Sequence, residues 1–220
     1  MTTSCLQSRF LHDVRGHELT IVVDQGVHRH ITLGRPGSFN YRYHITTWPG
    51  YLAISGDAGS YTFARLVDMF EFFRDEEGKN RINEGYWAEK LQAVDRFGGR
   101  DELDEEAYRD ALRRDTIAHF ENENLALSQA KEVVREMRDS YLFDPPDDRD
   151  EAIQQAMAFR CPITHEYPFN EFWDHRLTCA SFRLVWCMRA IVWGIKQYDL
   201  HKQSRTQADH DRRVLKGEAA

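Results

Sequence analysis

The sequence predicts an α+β protein in which an N-terminal four-stranded antiparallel meander packs on a C-terminal helical body. Two observations support this. Apolar residues alternate along the first part of the chain, as in strands, and recur every three or four residues in the second part, as in helices. The pattern changes within residues 41–74, which are rich in glycine and aromatic residues. One segment near the C-terminal end is apolar enough to form a central helix.

Four strands are predicted, separated by short turns that each contain glycine: residues 19–23, 27–33, 39–46 and 51–55. Proline presets one backbone dihedral and glycine accepts positive φ, so the Pro–Gly pairs at 36–37 and 49–50 favour turns. Short links join antiparallel neighbours, and the strands are therefore expected to form a meander. Residues 56–60 are expected to end the last strand.

Helical spacing is predicted for the rest of the chain, in segments 61–74, 84–97, 104–122, 125–140, 150–159 and 177–200. The last segment is apolar around most of its circumference, which is typical of a central helix contacted on several sides. No internal repeat and no compositional linker appears, so residues 1–200 are predicted to form a single domain. Residues 201–220 are polar and are predicted to be a flexible tail.

One face of the predicted sheet carries polar candidates for ligand binding. The period of two places four of them on the side opposite the apolar residues, namely His28, His30, Arg42 and His44. A flat sheet with cations can bind RNA or a phosphorylated ligand. The same parity puts Tyr41 and Tyr43 on the apolar face, which removes them as stacking partners for bases.

Charge is distributed unevenly along the chain. The net charge is −7, and residues 101–151 carry 17 acidic residues against 7 lysines and arginines, whereas residues 1–66 carry 6 arginines against 4 acidic residues. This balance argues against duplex binding over the whole surface, because phosphate contacts need clustered cations. It is consistent with an acidic surface that meets a basic site on a partner protein, although acidic helices are usually only solvated. The candidate acidic residues are Asp101, Glu102, Asp104, Glu105, Glu106 and Asp110.

The four cysteines show no disulfide-framework spacing, which favours a reducing cytosolic environment. The first ten residues lack the apolar run of a signal peptide, and no segment has the roughly 20 apolar residues that span a bilayer. Two Cys–His pairs offer the ligands of a zinc site, namely Cys161, His165, His175 and Cys179. Buried thiols and surface imidazoles explain the same residues without a metal, so no cofactor is expected. No motif specifies an enzymatic reaction.

Residues 44–65, 68–74 and 185–199 resemble a family of uncharacterised proteins encoded by tailed bacteriophages and prophages, and the resemblance extends from about residue 10 to residue 199. It carries over no catalytic or ligand residues. It implies a protein made in the host cytoplasm from an accessory phage gene.

In that setting the expected function is binding to a host protein or protein complex through the acidic helical surface. Such binding would inhibit or redirect the host factor, and the class includes anti-defence proteins such as anti-CRISPR proteins. Nucleic-acid or nucleotide binding through the His/Arg sheet face is the alternative, and a metal-dependent enzyme is a second one. The sequence leaves the host target, the substrate and the oligomeric state open.

Overall fold

The structure, a computed structural model, describes residues 5–74 and 81–203. The chain divides into two compact units, where the sequence analysis expected a single domain. We call residues 5–100 and 180–203 the sheet unit, and residues 101–179 the helical unit. Most of the predicted polar tail, residues 204–220, lies outside the described residues.

The sheet unit contains a six-stranded antiparallel sheet whose strands are neighbours in sequence order: β1 (Glu18–Gln25), β2 (His28–Gly34), β3 (Tyr43–Trp48), β4 (Tyr51–Gly56), β5 (Gly59–Ala64) and β6 (Leu91–Ala93). The prediction of an α+β protein with an antiparallel meander is confirmed. The meander has two strands more than predicted.

Residues 61–64 were predicted to begin a helix and instead form the fifth strand. Tyr61 and Phe63 are buried, whereas Ser60 and Thr62 are not, which is the period of two of a half-buried strand. The three-residue spacing from Phe63 to Leu66 was a coincidence, since Leu66 is exposed. The segment 84–97 likewise ends its helix at Ala88 and continues as strand β6.

Four helices pack on the apolar face of this sheet: α1 (Gln7–Asp13), α2 (Met69–Phe73), α3 (Glu84–Ala88) and α7 (Phe182–Lys202). The longest, α7, is buried at twelve positions and is the predicted central helix. It starts later than predicted because Thr178–Ala180 forms a strand and Ser181 caps the helix by accepting a hydrogen bond from the Leu184 backbone N–H.

The helical unit consists of β7 (Asp101–Leu103), α4 (Glu105–Asn122), α5 (Leu127–Asp139), α6 (Arg149–Met157), a 3₁₀ turn at Phe172–Asp174 and, except for its last residue, β8 (Thr178–Ala180), which pairs with β7. The predictions of α4, α5 and α6 are confirmed to within two residues at each end. Their inner faces enclose a core around Tyr108, Leu112 and Phe172. No helix in the described ranges is long and apolar enough to cross a membrane.

Candidate functional site on the polar face of the sheet

Two histidines predicted for the polar face of the sheet lie side by side there. His30 on β2 and His44 on β3 stack with ring centroids 5.7 Å apart. Thr46 Oγ1 lies 2.8 Å from His30 Nδ1, and Thr32 Oγ1 lies 2.9 Å from His44 Nδ1. These cross-strand contacts fix both rings and occupy both Nδ1 atoms. No described residue forms a hydrogen bond with either Nε2 atom, so both remain free for a ligand.

Arg42 reaches the same face because residue 34 has no side chain. A Cβ on Gly34 would lie 2.9 Å from Arg42 Nε and 3.1 Å from Arg42 Cγ, so the arginine side chain passes directly over the end of β2. Its guanidinium carbon lies 4.9 Å from the centre of the exposed Phe39 ring. Arg42 Nε is buried, and within the described part of the chain it has no hydrogen-bond acceptor.

His28, at the first position of β2, completes the predicted set. Alternation along β2 places it on the same face as His30, and its side chain is exposed. The structure therefore brings His28, His30, Arg42 and His44 to one surface, as the sequence predicts.

Burial disfavours the charged form of His44. The pKa of His44 lies below its ordinary value of 6.5, first because burial disfavours the charged ring, and then because His30 and Arg42 are nearby. At neutral pH His44 is therefore mainly uncharged. Arg42 is the permanently charged member of the set.

Two aromatic residues that were not predicted from the sequence also lie on this face. Trp48 on β3 and Tyr51 on β4 are cross-strand partners, and their rings stack 5.3 Å apart at an interplanar angle of 13°. Their side chains are 37% and 39% exposed. The strand was predicted to end at residue 46, which left Trp48 in a turn. Continuing the parity from His44 would have placed it on the polar face.

The candidate acidic residues lie on β7 and the first two turns of α4, and several have local partners. Asp104 caps α4 by accepting hydrogen bonds from the backbone N–H groups of Glu106 and Ala107. Glu105 pairs with Arg109 at 2.8 Å, and Asp110 with Arg113 at 2.6 Å. Asp101 and Glu106 are exposed, and Glu102 is half-buried. Local ion pairs thus reduce the charge that this surface presents.

The four candidate zinc ligands do not come together. Cys161 is fully buried in the core of the helical unit, whereas His165 is exposed in a turn. His175 Nε2 lies 2.8 Å from Asp115 Oδ2, and Cys179 lies in β8. Among the described residues no three His, Cys, Asp or Glu side chains are grouped so that they could hold a metal ion. The zinc hypothesis is therefore not retained.

The Asp115–His175 pair lies in the wall of an open polar cleft of about 380 Å³ in the helical unit. No spacing in the sequence predicts this pair, because its members are separated by 60 residues. The cleft is also lined by polar and aromatic side chains, namely His119, Asn122, Tyr167, Asn170, Glu171 and Asp174. Its histidine His175 is oriented by the contact with Asp115.

Comparison with protein-family models, curated proteins and solved structures finds no match to this chain.

Proposed function

We propose that the protein binds single-stranded nucleic acid on the polar face of its sheet. The observation that carries the proposal is the combination on one face of a cation, two oriented imidazoles and an exposed aromatic pair: Arg42, His30, His44, Trp48 and Tyr51. Aromatic rings on a sheet stack with unpaired bases, while cations contact the phosphates. The described helices of the sheet unit all pack on the opposite face.

The spacing of these groups favours an extended ligand. Arg42 immediately precedes β3 and Trp48 is its last residue, and the strand between them spans about 17 Å at about 3.3 Å per residue. The side chains of the same face on β4 and β5 are small, namely Ala53, Ser55, Ser60 and Thr62. An extended oligonucleotide can therefore contact both ends, whereas bases in a duplex are stacked on each other and not available to Trp48 and Tyr51.

Charge sets the conditions for this binding. The sheet unit carries 16 lysines and arginines against 13 acidic residues in residues 5–100 and 180–203, a modest excess of cations. Few phosphate contacts are available, so we expect a shallow dependence of affinity on salt. Protonated His44 binds phosphate better than its neutral form, and because its pKa lies below the ordinary value of 6.5, we expect affinity to rise as the pH falls below that value.

Fluorescence anisotropy with a labelled pyrimidine-rich single strand tests the proposal. Trp48→Ala removes one stacking surface and is expected to weaken binding by about 1–3 kcal/mol. Arg42→Ala is expected to weaken binding and to reduce the salt dependence. A duplex of the same sequence is expected to bind more weakly than the single strand.

The matched control is Arg9→Ala, which removes an exposed cation from α1, on the opposite side of the sheet. Its affinity should equal that of the wild type. If Arg9→Ala and Arg42→Ala weaken binding equally, the interaction is a general charge effect and the sheet face is not the site.

A second function, inhibition or redirection of a host factor by a phage accessory protein in the host cytoplasm, is favoured by the separation of charge between the units. Residues 101–179 carry 20 acidic residues against 9 lysines and arginines. A surface of this sign suits a basic site on a host protein or complex, including a component of antiviral defence.

Co-purification of the tagged protein from host cells tests this second function. The double variant Asp101→Asn, Glu106→Gln neutralises two exposed carboxylates, and it should reduce recovery of the partner and protection of phage in defended cells. Recovery that does not change with this variant or with salt would argue against the acidic surface as the binding site.

A further inference from the structure

Helix α5 presents an uncovered apolar stripe in addition to the one that faces the core. Val133 and Met137 are each 1% exposed and point into the helical unit. Leu127, Ala130 and Val134 recur at helical spacing on an adjacent stripe, and Leu127 is 73% exposed. With Phe120 of α4 these three residues line an open groove of about 490 Å³.

Three cations also line this groove: Lys131, Arg135 and Arg138. They recur at spacings of four and three residues, so they form one row along the groove. The acidic residues of α5, Glu132, Glu136 and Asp139, follow the same spacing on a different side of the helix. The cations and the carboxylates therefore lie on different sides of the helix, with the cations beside the apolar stripe.

These cations are largely unneutralised by the rest of the chain. Arg135 has one distant ion pair, with Glu132 at 3.9 Å, in which both side chains are more than half exposed. Lys131 and Arg138 have no ion pair within the described residues. The basic row is notable because the unit as a whole has 11 more acidic than basic residues.

We propose that this groove is a docking site for an acidic amphipathic helix of a partner protein. The apolar stripe provides the anchor positions, and the basic row is complementary to carboxylates at one edge of the incoming helix. The groove residues of α5 span from Leu127 to Arg138, or about 16 Å at 1.5 Å per residue, which matches about three helical turns. This surface is separate from the sheet face and is of opposite sign to the acidic residues at the start of α4.

A labelled synthetic helix tests the proposal. Leucines recur on one side of this peptide at the i, i+3, i+4, i+7 spacing and glutamates flank them, and a second peptide has lysines in place of the glutamates. The full-length protein is expected to bind the glutamate peptide at least about tenfold more tightly than the lysine peptide, because only glutamates complement the basic row. Equal affinity for both peptides, or no binding of either, would overturn the proposal.

Matched variants locate the site. Leu127→Ser and Arg135→Glu change exposed groove residues, so the fold should be retained, and each is expected to reduce affinity for the glutamate peptide by about tenfold or more. Ile117→Ser and Arg113→Glu change an exposed apolar residue and a cation of α4 that do not line the groove. If the α4 variants lost as much affinity for the glutamate peptide as the groove variants do, the proposal would be overturned.

Sedimentation of the free protein tests whether a second copy of the chain occupies the groove, because it measures the oligomeric state. A concentration-dependent dimer that Leu127→Ser abolishes would show that the groove serves self-association, which contradicts docking of an acidic helix. A monomer at all concentrations, together with selective binding of the glutamate peptide, supports the docking site.

Discussion

Arg42 lies over the backbone of Gly34 so closely that a Cβ there would come within 2.9 Å of its Nε atom. Gly34 is not at positive φ, so its backbone conformation tolerates alanine. The new Cβ of Gly34→Ala would instead clash with the Arg42 side chain. We expect this substitution to displace Arg42 and to weaken binding of a single strand about as much as Arg42→Ala. Fluorescence anisotropy measures the loss.

A double-mutant cycle checks that Gly34→Ala acts through Arg42. If it does, adding Gly34→Ala to Arg42→Ala leaves the affinity unchanged, because the side chain that the new methyl group displaces is already absent. Additive losses would mean that residue 34 affects binding by another route.

Gly194 provides the close approach between the central helix α7 and the sheet. A Cβ at this position would lie 2.8 Å from Ile45 Cδ1 and 3.3 Å from Leu33 Cδ1. Overpacking at this position should therefore cost about 1–3 kcal/mol of the free energy of unfolding. Alanine regains about 1 kcal/mol of helix propensity, so the expected net loss for Gly194→Ala is about 0–2 kcal/mol.

Gly85→Ala is the matched control in urea unfolding, because a Cβ at residue 85 of α3 meets nothing within 4 Å. Its unfolding free energy should be unchanged or slightly higher than that of the wild type. A more stable Gly194→Ala variant would show that α7 can move away from the sheet without loss of packing.

The sequence predicts the parts of the fold in which one periodicity dominates. Alternation in β2 and β3 places His30 and His44 correctly, and the apolar circumference of residues 182–202 identifies the central helix. The prediction was wrong at Phe63, which lies in a strand but was assigned to a helix because Leu66 follows it at a helical spacing of three residues. Short strands such as β6 are held by pairing with β5, and three residues are too few to show a period.

Candidate sites, too, are predictable from the sequence only where periodicity places their residues. Residues on one strand or on adjacent paired strands, such as His30, His44 and Thr46, share a face that parity predicts. Asp115 and His175 meet only through the tertiary packing of distant segments, which no spacing in the sequence encodes. The zinc hypothesis failed because Cys161 is fully buried in the apolar core, while His165, four residues later, is exposed.

The stability of the sheet unit should decrease as the pH falls below about 6.5 because of His44. Its pKa is depressed in the folded state, chiefly by burial, so the unfolded chain takes up a proton at a higher pH than the folded chain does. Stability is fully present above the unfolded value of 6.5 and declines as the pH falls toward the folded pKa. Urea unfolding at a series of pH values measures this.

The His44→Gln variant should have a weaker pH dependence than the wild type in this range, because the group that titrates is absent. His12→Gln, a change of an exposed histidine on α1, serves as the control and should retain the wild-type dependence. If stability depended on pH in the same way in both variants, His44 would not be the source of the pH dependence.

Thiol labelling should distinguish one cysteine from the other three. Cys5, Cys161 and Cys187 are at most 1% exposed, whereas Cys179 is half-buried. Burial raises the pKa of Cys5 to about 11 and raises that of Cys187 as well, and the thiolate is the reactive form. We therefore expect one rapidly labelled thiol per folded chain, which Cys179→Ser removes, and three that react only on unfolding.

A chelator should leave the number of rapidly labelled thiols unchanged. An increase in reactive thiols after chelation, with release of zinc, would contradict the placement of Cys161 in an apolar core and would restore the metal hypothesis.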